Sequence, residues 1–132
     1  MIGARIEHLA VWTRDLERLR DFYVRFFGAR AGGPYRNQAK GFDSCFLEFD
    51  GGARLELMRT SQLELAEASP GAQRHGLTHL ALAVGSQARV DALTSELREA
   101  GYPVLDGPRR TGDGYYESVV LDPDGNRIEI TA

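Results

Sequence analysis

Phe49-Asp50-Gly51-Gly52-Ala53-Arg54-Leu55-Glu56-Leu57 is echoed later in the chain by Leu121-Asp122-Pro123-Asp124-Gly125-Asn126-Arg127-Ile128-Glu129-Ile130. Gly52 and Gly125 lie 73 residues apart, as do Glu56 and Glu129, and Gly28 and Gly101. Upstream, Ile6-Glu7-His8-Leu9-Ala10-Val11 matches Leu77-Thr78-His79-Leu80-Ala81-Leu82 at an offset of 71. Two extra residues between His79 and Gly101 reconcile the offsets. A repeat that spans the chain marks two copies of one supersecondary unit.

Each half reads as strand, helix, then strands. The His-bearing strands are apolar at successive positions, which predicts strands buried on both faces. Leu16, Leu19, Phe22, Tyr23 and Phe26 recur at helical spacing, so a helix is expected from Asp15 to Phe27. Thr13 or Asp15 would cap it and Gly28 would stop it. Val90, Leu93 and Leu97 predict the second helix over Gln87 to Ala100, capped by Ser86 and ended by Gly101. Strands follow at Asp43 to Phe49, Ala53 to Met58, Tyr115 to Leu121 and Asn126 to Thr131. Asp50-Gly51-Gly52 and Asp122-Pro123-Asp124-Gly125 are turns, with Pro second and Gly fourth in the latter. Shorter strands fall near Ala29 to Tyr35 and Val104 to Arg110. The expected organisation is one domain: module one at 1–59, a linker at 60–76 with a short helix at Leu63 to Ala68, and module two at 77–132.

Strand parity sorts the polar residues. Leu55 and Leu57 face one way, Arg54, Glu56 and Met58 the other. Ile128 and Ile130 oppose Arg127, Glu129 and Thr131 in the same manner. If the apolar faces pack on the helices, both glutamates project from the opposite, concave face. Leu9 and Val11, then Leu80 and Leu82, put His8 and His79 there too. Two imidazoles and two carboxylates form a mixed N/O set suited to one Zn, Ni, Fe, Mn or Co ion and poor for Cu(I). Such an ion polarises a carbonyl and stabilises an enediolate while a carboxylate, Glu56 or Glu129, moves the proton. Phe46, Met58, Tyr35, Tyr115 and Tyr116 are expected to line the substrate cavity, with Arg54 and Arg127 at its rim.

Composition limits the alternatives. With 132 residues the chain suits a single compact domain, and its net charge of −3 lacks the basic face that nucleic acid needs. No apolar run approaches the ~20 residues that span a bilayer, and the first residues lack a signal-peptide core, so no membrane partner and a cytoplasmic location are expected. The single cysteine, Cys45, has no partner for an intrachain disulfide and reads as a small buried hydrophobe. His75, beside Gly76, reads as a surface residue.

On His8-Leu9-Ala10-Val11, the Phe22-Tyr23 helix ending at Gly28, Leu55-Glu56-Leu57, Gly76-Leu77-Thr78-His79-Leu80-Ala81 and Asp122-Pro123-Asp124-Gly125-Asn126-Arg127-Ile128-Glu129, the chain resembles the glyoxalase/bleomycin resistance/extradiol dioxygenase (vicinal oxygen chelate) superfamily. The resemblance implies an α+β fold of two tandem βαβββ modules, forming a cupped, barrel-like sheet with the helices outside. The glyoxalase I ligand pattern His, Glu, His, Glu falls on His8, Glu56, His79 and Glu129, and a ligand glutamate there also serves as base. After Glu56 the chain reads Leu57-Met58-Arg59-Thr60, where bacterial glyoxalase I typically carries Thr-x-Asn-Trp. The implied activity is a lactoylglutathione lyase-like lyase or isomerase acting on a small carbonyl or hydroxy-acid compound. Ring-cleaving dioxygenases and fosfomycin- or bleomycin-type resistance proteins are the alternatives, and Glu56 disfavours them. The 18 residues from Arg59 to Gly76 can span a long path. The resemblance to bacterial glyoxalase I then implies a homodimer with metal sites shared between chains, while a linker of this length equally permits a monomer that closes its site within one chain.

Overall fold

The computed structural model describes residues 2–64, 71–73 and 75–132. The chain forms two compact units, 1–66 and 67–132. The first contains β1 (His8–Trp12), α1 (Leu16–Phe27), β2 (Arg30–Ala31), β3 (Tyr35–Asn37), β4 (Phe42–Glu48) and β5 (Arg54–Thr60). The second contains β6 (Leu80–Ala83), α2 (Gln87–Glu99), β7 (Val104–Arg110), β8 (Tyr116–Leu121) and β9 (Arg127–Thr131). The fold class is α+β, as expected: two modules, each a mixed sheet with one helix.

The repeat in sequence is a repeat in topology. The first sheet runs β1-β5-β4-β2 with β3 also on β4, and the second runs β6-β9-β8-β7. In each, the opening strand pairs in parallel with the last strand, and the other pairings are antiparallel. Local chemistry starts and stops both helices. The Asp15 carboxylate accepts from the Arg18 amide and Gly28 adopts φ 65° at the end of α1. The Ser86 hydroxyl accepts from the Arg89 amide at the start of α2, and Gly101 at φ 93° follows its Ala100 cap. The Asp122 carboxylate accepts from the Asp124 and Asn126 amides, each at 2.9 Å, which closes the β8–β9 turn.

Each helix packs on one face of its sheet. Leu19, Phe22, Tyr23 and Phe26 of α1 are buried, as are Cys45, Leu47, Leu55 and Leu57 of the first sheet. Val90, Leu93, Thr94 and Leu97 of α2 are buried with Val120, Ile128 and Ile130. Cys45 is a buried residue whose thiol is pushed up by desolvation, the inert role its surroundings suggested. His75 is exposed.

Two expectations are corrected. β1 and β6 are not buried on both faces: their exposure alternates, with Ala10, Trp12, Ala81 and Ala83 exposed. Each sheet has a helix on one face only, and alanines satisfy either side. The strand expected from Ala29 to Tyr35 is broken into β2 and β3, because Gly32-Gly33-Pro34 interrupts it. Pro34 has no amide hydrogen for the ladder. In the expected linker helix, Leu63 and Glu64 are not helical, and 65–68 lie outside the described residues. No helix among the described residues is long and apolar enough to cross a membrane.

Candidate metal centre

Register places the predicted ligands. In the first unit His8 pairs with Arg54, Ala10 with Glu56 and Trp12 with Met58, so all six share the face opposite α1. His8 Nε2 lies 3.7 Å from Glu56 Oε1. In the second unit Ala81 pairs with Glu129. His79, just ahead of β6, brings its Nε2 to 3.2 Å from Glu129 Oε2. Each unit thus holds one imidazole nitrogen against one carboxylate on its face opposite the helix. Among the described residues, no three or more His, Cys, Asp and Glu form a metal-binding cluster.

The surroundings fit a cation. Glu56 and Glu129 are 17% and 23% exposed at the side chain, too enclosed for freely solvated charges and open enough for an incoming ion. His8 Nδ1 is hydrogen-bonded to Glu7 Oε2, which leaves Nε2 as the lone-pair nitrogen facing Glu56. Glu7 is held in turn by Arg54, whose Nε and Nη2 donate to Oε1 at 2.9 and 2.5 Å. His8 first and Arg54 second keep the Glu7 carboxyl below its ordinary value. In the second unit, Thr131 Oγ1 is buried with no hydrogen-bond partner among the described residues, and Thr131 shares the face of Glu129.

The faces of the two units differ in character. Phe46 pairs with Glu56, and its ring meets the His8 ring edge-on at 5.3 Å. The Arg54 guanidinium covers Phe46 at 4.1 Å. Met58 pairs with Ser44, which pairs with Tyr35, so Met58 and Tyr35 share this face. Sequence reasoning missed Trp12 and Phe42, whose rings meet at 6.3 Å with Tyr35 6.1 Å beyond. Both were accessible by parity, Trp12 four residues after His8 and Phe42 four before Phe46. The first unit therefore offers an aromatic wall. At the positions of Trp12 and Phe46 the second unit holds Ala83 and Val119, and it carries a second carboxylate.

That carboxylate, Glu117, is the other residue missed. It pairs with Thr131 and lies diagonal to Glu129 on the neighbouring strand, so the two carboxyl groups share one face. Burial raises its pKa most, the Glu129 charge adds to this, and Arg109 Nη1 at 4.0 Å opposes it. A charged residue immediately before Ser118-Val119-Val120-Leu121 was the available signal.

Four of the residues expected at the substrate site have neighbours of their own. Arg54 is engaged by Glu7, and Arg127 donates to the Gly71 carbonyl at 2.8 Å. Tyr116 lies on the α2 side of β8, its hydroxyl bonded to Asp91 of the helix. Parity between two adjacent tyrosines decides this: Ser118, in phase with Tyr116, bonds Thr94 of α2 at 2.7 Å. Tyr115, the neighbouring residue, is 56% exposed at the β7–β8 turn, where its amide bonds Thr111 Oγ1.

Comparison with known proteins agrees with this architecture. Residues 5–130 match the Glyoxalase/Bleomycin resistance protein/Dioxygenase superfamily. A glyoxylase/bleomycin resistance protein/dioxygenase domain from Frankia sp. EAN1pec superposes with a TM-score of 0.81 at 18% identity, over 98% of each chain. A glyoxalase family protein from Enterococcus faecalis gives 0.77 at 25% identity, over 100% of both chains. Glyoxalase I from Zea mays gives 0.77 at 21% identity over 96% of this chain, which spans 44% of the maize chain. No curated protein matches. Repeat, topology and sequence match converge on one conclusion: the chain belongs to the Glyoxalase/Bleomycin resistance protein/Dioxygenase superfamily.

Proposed function

We propose that this protein is a divalent-metal-dependent lyase or isomerase of the glyoxalase type, acting on a small carbonyl or hydroxy-acid compound. The observation that carries the reading is the repeated pair: His8 with Glu56, and His79 with Glu129, each on the face opposite the helix of an equivalent sheet. A pair is half of a four-ligand set. The reading assigns His8, Glu56, His79 and Glu129 to one Zn, Ni, Fe, Mn or Co ion, completed by two modules of one chain or of two chains in a homodimer.

When bound, the ion would supply positive charge that polarises a substrate oxygen and acidifies the adjacent C–H bond. The chain's own groups do the rest. A carboxylate oxygen of Glu129 or Glu56 takes the proton from that carbon and returns it to a neighbouring atom of the same substrate. Glu117, diagonal to Glu129 on the neighbouring strand, places a second carboxyl group beside it. Phe46, Met58, Trp12 and Phe42 supply an apolar wall that excludes water from the reacting carbon.

Elemental analysis of the purified protein, its His79→Ala and Glu129→Gln variants, and the double variant tests the ligand set. The wild type should carry close to one ion per four-ligand site, and the variants should lose most of it while remaining folded. A double variant that retains the wild-type metal content overturns the assignment. A screen of 2-oxoaldehydes, their thiol adducts and 2-hydroxy acids, with each metal restored, tests the chemistry. Oxygen uptake with catechols in place of carbonyl turnover would move the protein to the dioxygenase branch.

A further inference from the structure

Beyond the last β4–β5 pair, Phe42 with Thr60, the first unit opens into a cleft of about 570 Å³. Arg14, Arg36 and Arg59 line it with Asp43, and Phe42 and Leu63 give it an apolar side. None of His8, Glu56, His79 or Glu129 is part of it. We propose that this cleft is an anion-binding site that takes a small organic molecule through a phosphate or dicarboxylate group.

Charge is the first argument. Three guanidiniums face one carboxylate. Asp43 lies between two of them, with Oδ1 3.4 Å from Arg36 Nε and Oδ2 bonded to Arg59 Nη2. Arg14 has no carboxylate within ion-pair distance among the described residues. An edge ion pair therefore accounts for Arg59 and Arg36 but leaves a surplus of two positive charges in one concavity. A dianion matches that surplus.

Preorganisation is the second. The Asp43 side chain is only 13% exposed, and one enclosed carboxylate buttresses two guanidiniums. Each guanidinium has five N–H donors, so both retain donors for a ligand. The β3–β4 turn is fastened beside them. Ser61 donates its amide to the Gly41 carbonyl at 3.1 Å, and Lys40 donates its amide to Asn37 Oδ1 at 3.2 Å. Gly41 turns at φ +61°, a left-handed conformation that favours glycine, and a Cβ there would also crowd the Ser61 side chain, 2.6 Å from Oγ. Phe42 and Leu63 offer contact to the organic remainder of a ligand, which a bare surface ion pair would not.

The geometry also relocates the cationic role that strand parity assigned to Arg54 and Arg127. Arg54 is engaged by Glu7 and Arg127 donates to the Gly71 carbonyl, whereas Arg14, Arg36 and Arg59 gather in one concavity with a surplus of positive charge.

Metal-free full-length protein carrying His79→Ala, titrated with inorganic phosphate and separately with succinate at constant ionic strength, tests the site. Amide and arginine Nε–H resonances are followed by NMR. Saturable shifts should be confined to residues 36–43, 59–61 and Arg14. An Arg14→Gln/Arg59→Gln double variant should bind at least about tenfold more weakly, the loss of one charge-assisted contact or more. Arg30→Gln, which removes an exposed arginine paired with Asp50 away from the cleft, should change binding less than about twofold. Saturation by phosphate alone or succinate alone identifies the group and supports the site. Should the double variant unfold, Arg14→Gln alone gives the same comparison, since Arg14 has no ion-pair partner to orphan among the described residues. Linear, unsaturable shifts with both anions overturn the proposal, as does an equal loss in Arg30→Gln, which would mark a general charge effect. With metal excluded from every sample, failure here leaves the metal reading untouched, and loss of the metal reading leaves this site standing.

Discussion

Glu7 decides which nitrogen of His8 is available. Its carboxylate, acceptor-only when ionised, accepts a hydrogen bond from Nδ1–H, and Arg54 holds the carboxylate on its other oxygen. Glu7→Ala should therefore weaken divalent-metal binding about tenfold or more, the usual scale for a group that orients a ligand histidine. In the metal-free variant the His8 ring nitrogens should lose their Nδ1–H tautomer preference by ¹⁵N NMR. Unchanged affinity with an unchanged tautomer would remove Glu7 from the site. Glu117 makes a pH-dependent prediction. A carboxyl held above its ordinary value binds its proton more tightly in the folded chain. Its contribution to stability is thus complete below the unfolded pKa of about 4.3 and is lost as pH rises through the folded value. Glu117→Gln, measured metal-free, should match wild type in melting temperature near pH 3.5 and exceed it increasingly toward pH 7. A variant less stable than wild type at pH 7 would mean that Arg109 outweighs burial and Glu129. The sequence made His8 and Glu56 legible because parity and the repeat coincide on them. Glu117 has no repeat partner, since the equivalent position in the first unit is Ser44, so it escaped a search built on symmetry.

Among the elements, helix ends were the most legible parts of the chain. Asp15, Ser86, Gly28 and Gly101 act through bonds and backbone angles set within a few residues. Strand interruptions were less so. β7 runs the length expected, Val104 to Arg110, yet its register against β8 shifts twice. A Cβ on Gly107, at φ +79°, would lie 2.6 Å from the Glu117 carbonyl, a close approach visible only once the two strands are paired. The α2–β8 contact offers a stability test. Thr94 Oγ1 donates to the Val90 carbonyl at 2.6 Å and meets Ser118 Oγ at 2.7 Å, both side chains buried. Thr94→Val strands the Ser118 hydroxyl and should cost about 1–3 kcal/mol in urea denaturation. Adding Ser118→Ala should recover part of that loss, and strictly additive effects would show that the two hydroxyls do not interact.

At the scale of the whole molecule, two units share one topology and divide the work. The first carries the aromatic wall and an imidazole oriented by Glu7, and the second carries the paired carboxylates. The proposed set of four ligands on one ion requires modules to combine, within one chain or between the two chains of the expected homodimer. Mixing inactive His8→Ala and His79→Ala chains after joint unfolding and refolding tests this. A shared-site mixed dimer contains one site lacking both histidines and one intact site, so metal binding and activity should partly return. No recovery in a preparation shown to contain mixed dimers would assign each site to a single chain.

Local rules and periodicity were sufficient for the repeat, both helices with their caps, the turn at Asp122 to Gly125, and the face on which His8, Glu56, His79 and Glu129 lie. Each of those depends on neighbours within one strand or one helical turn, and a period of two or 3.6 carries it. Tertiary structure alone decided which polar groups are occupied. Arg54 finds Glu7 across the β1–β5 register, Arg127 finds a carbonyl 56 positions away, and Tyr116 turns to a helix 25 residues upstream. The surplus of positive charge at Arg14, Arg36 and Arg59 likewise arises only when three segments meet at the end of one sheet. Hydrogen bonds and charge sum over neighbours in space, and linear spacing does not report those neighbours until the strands have paired.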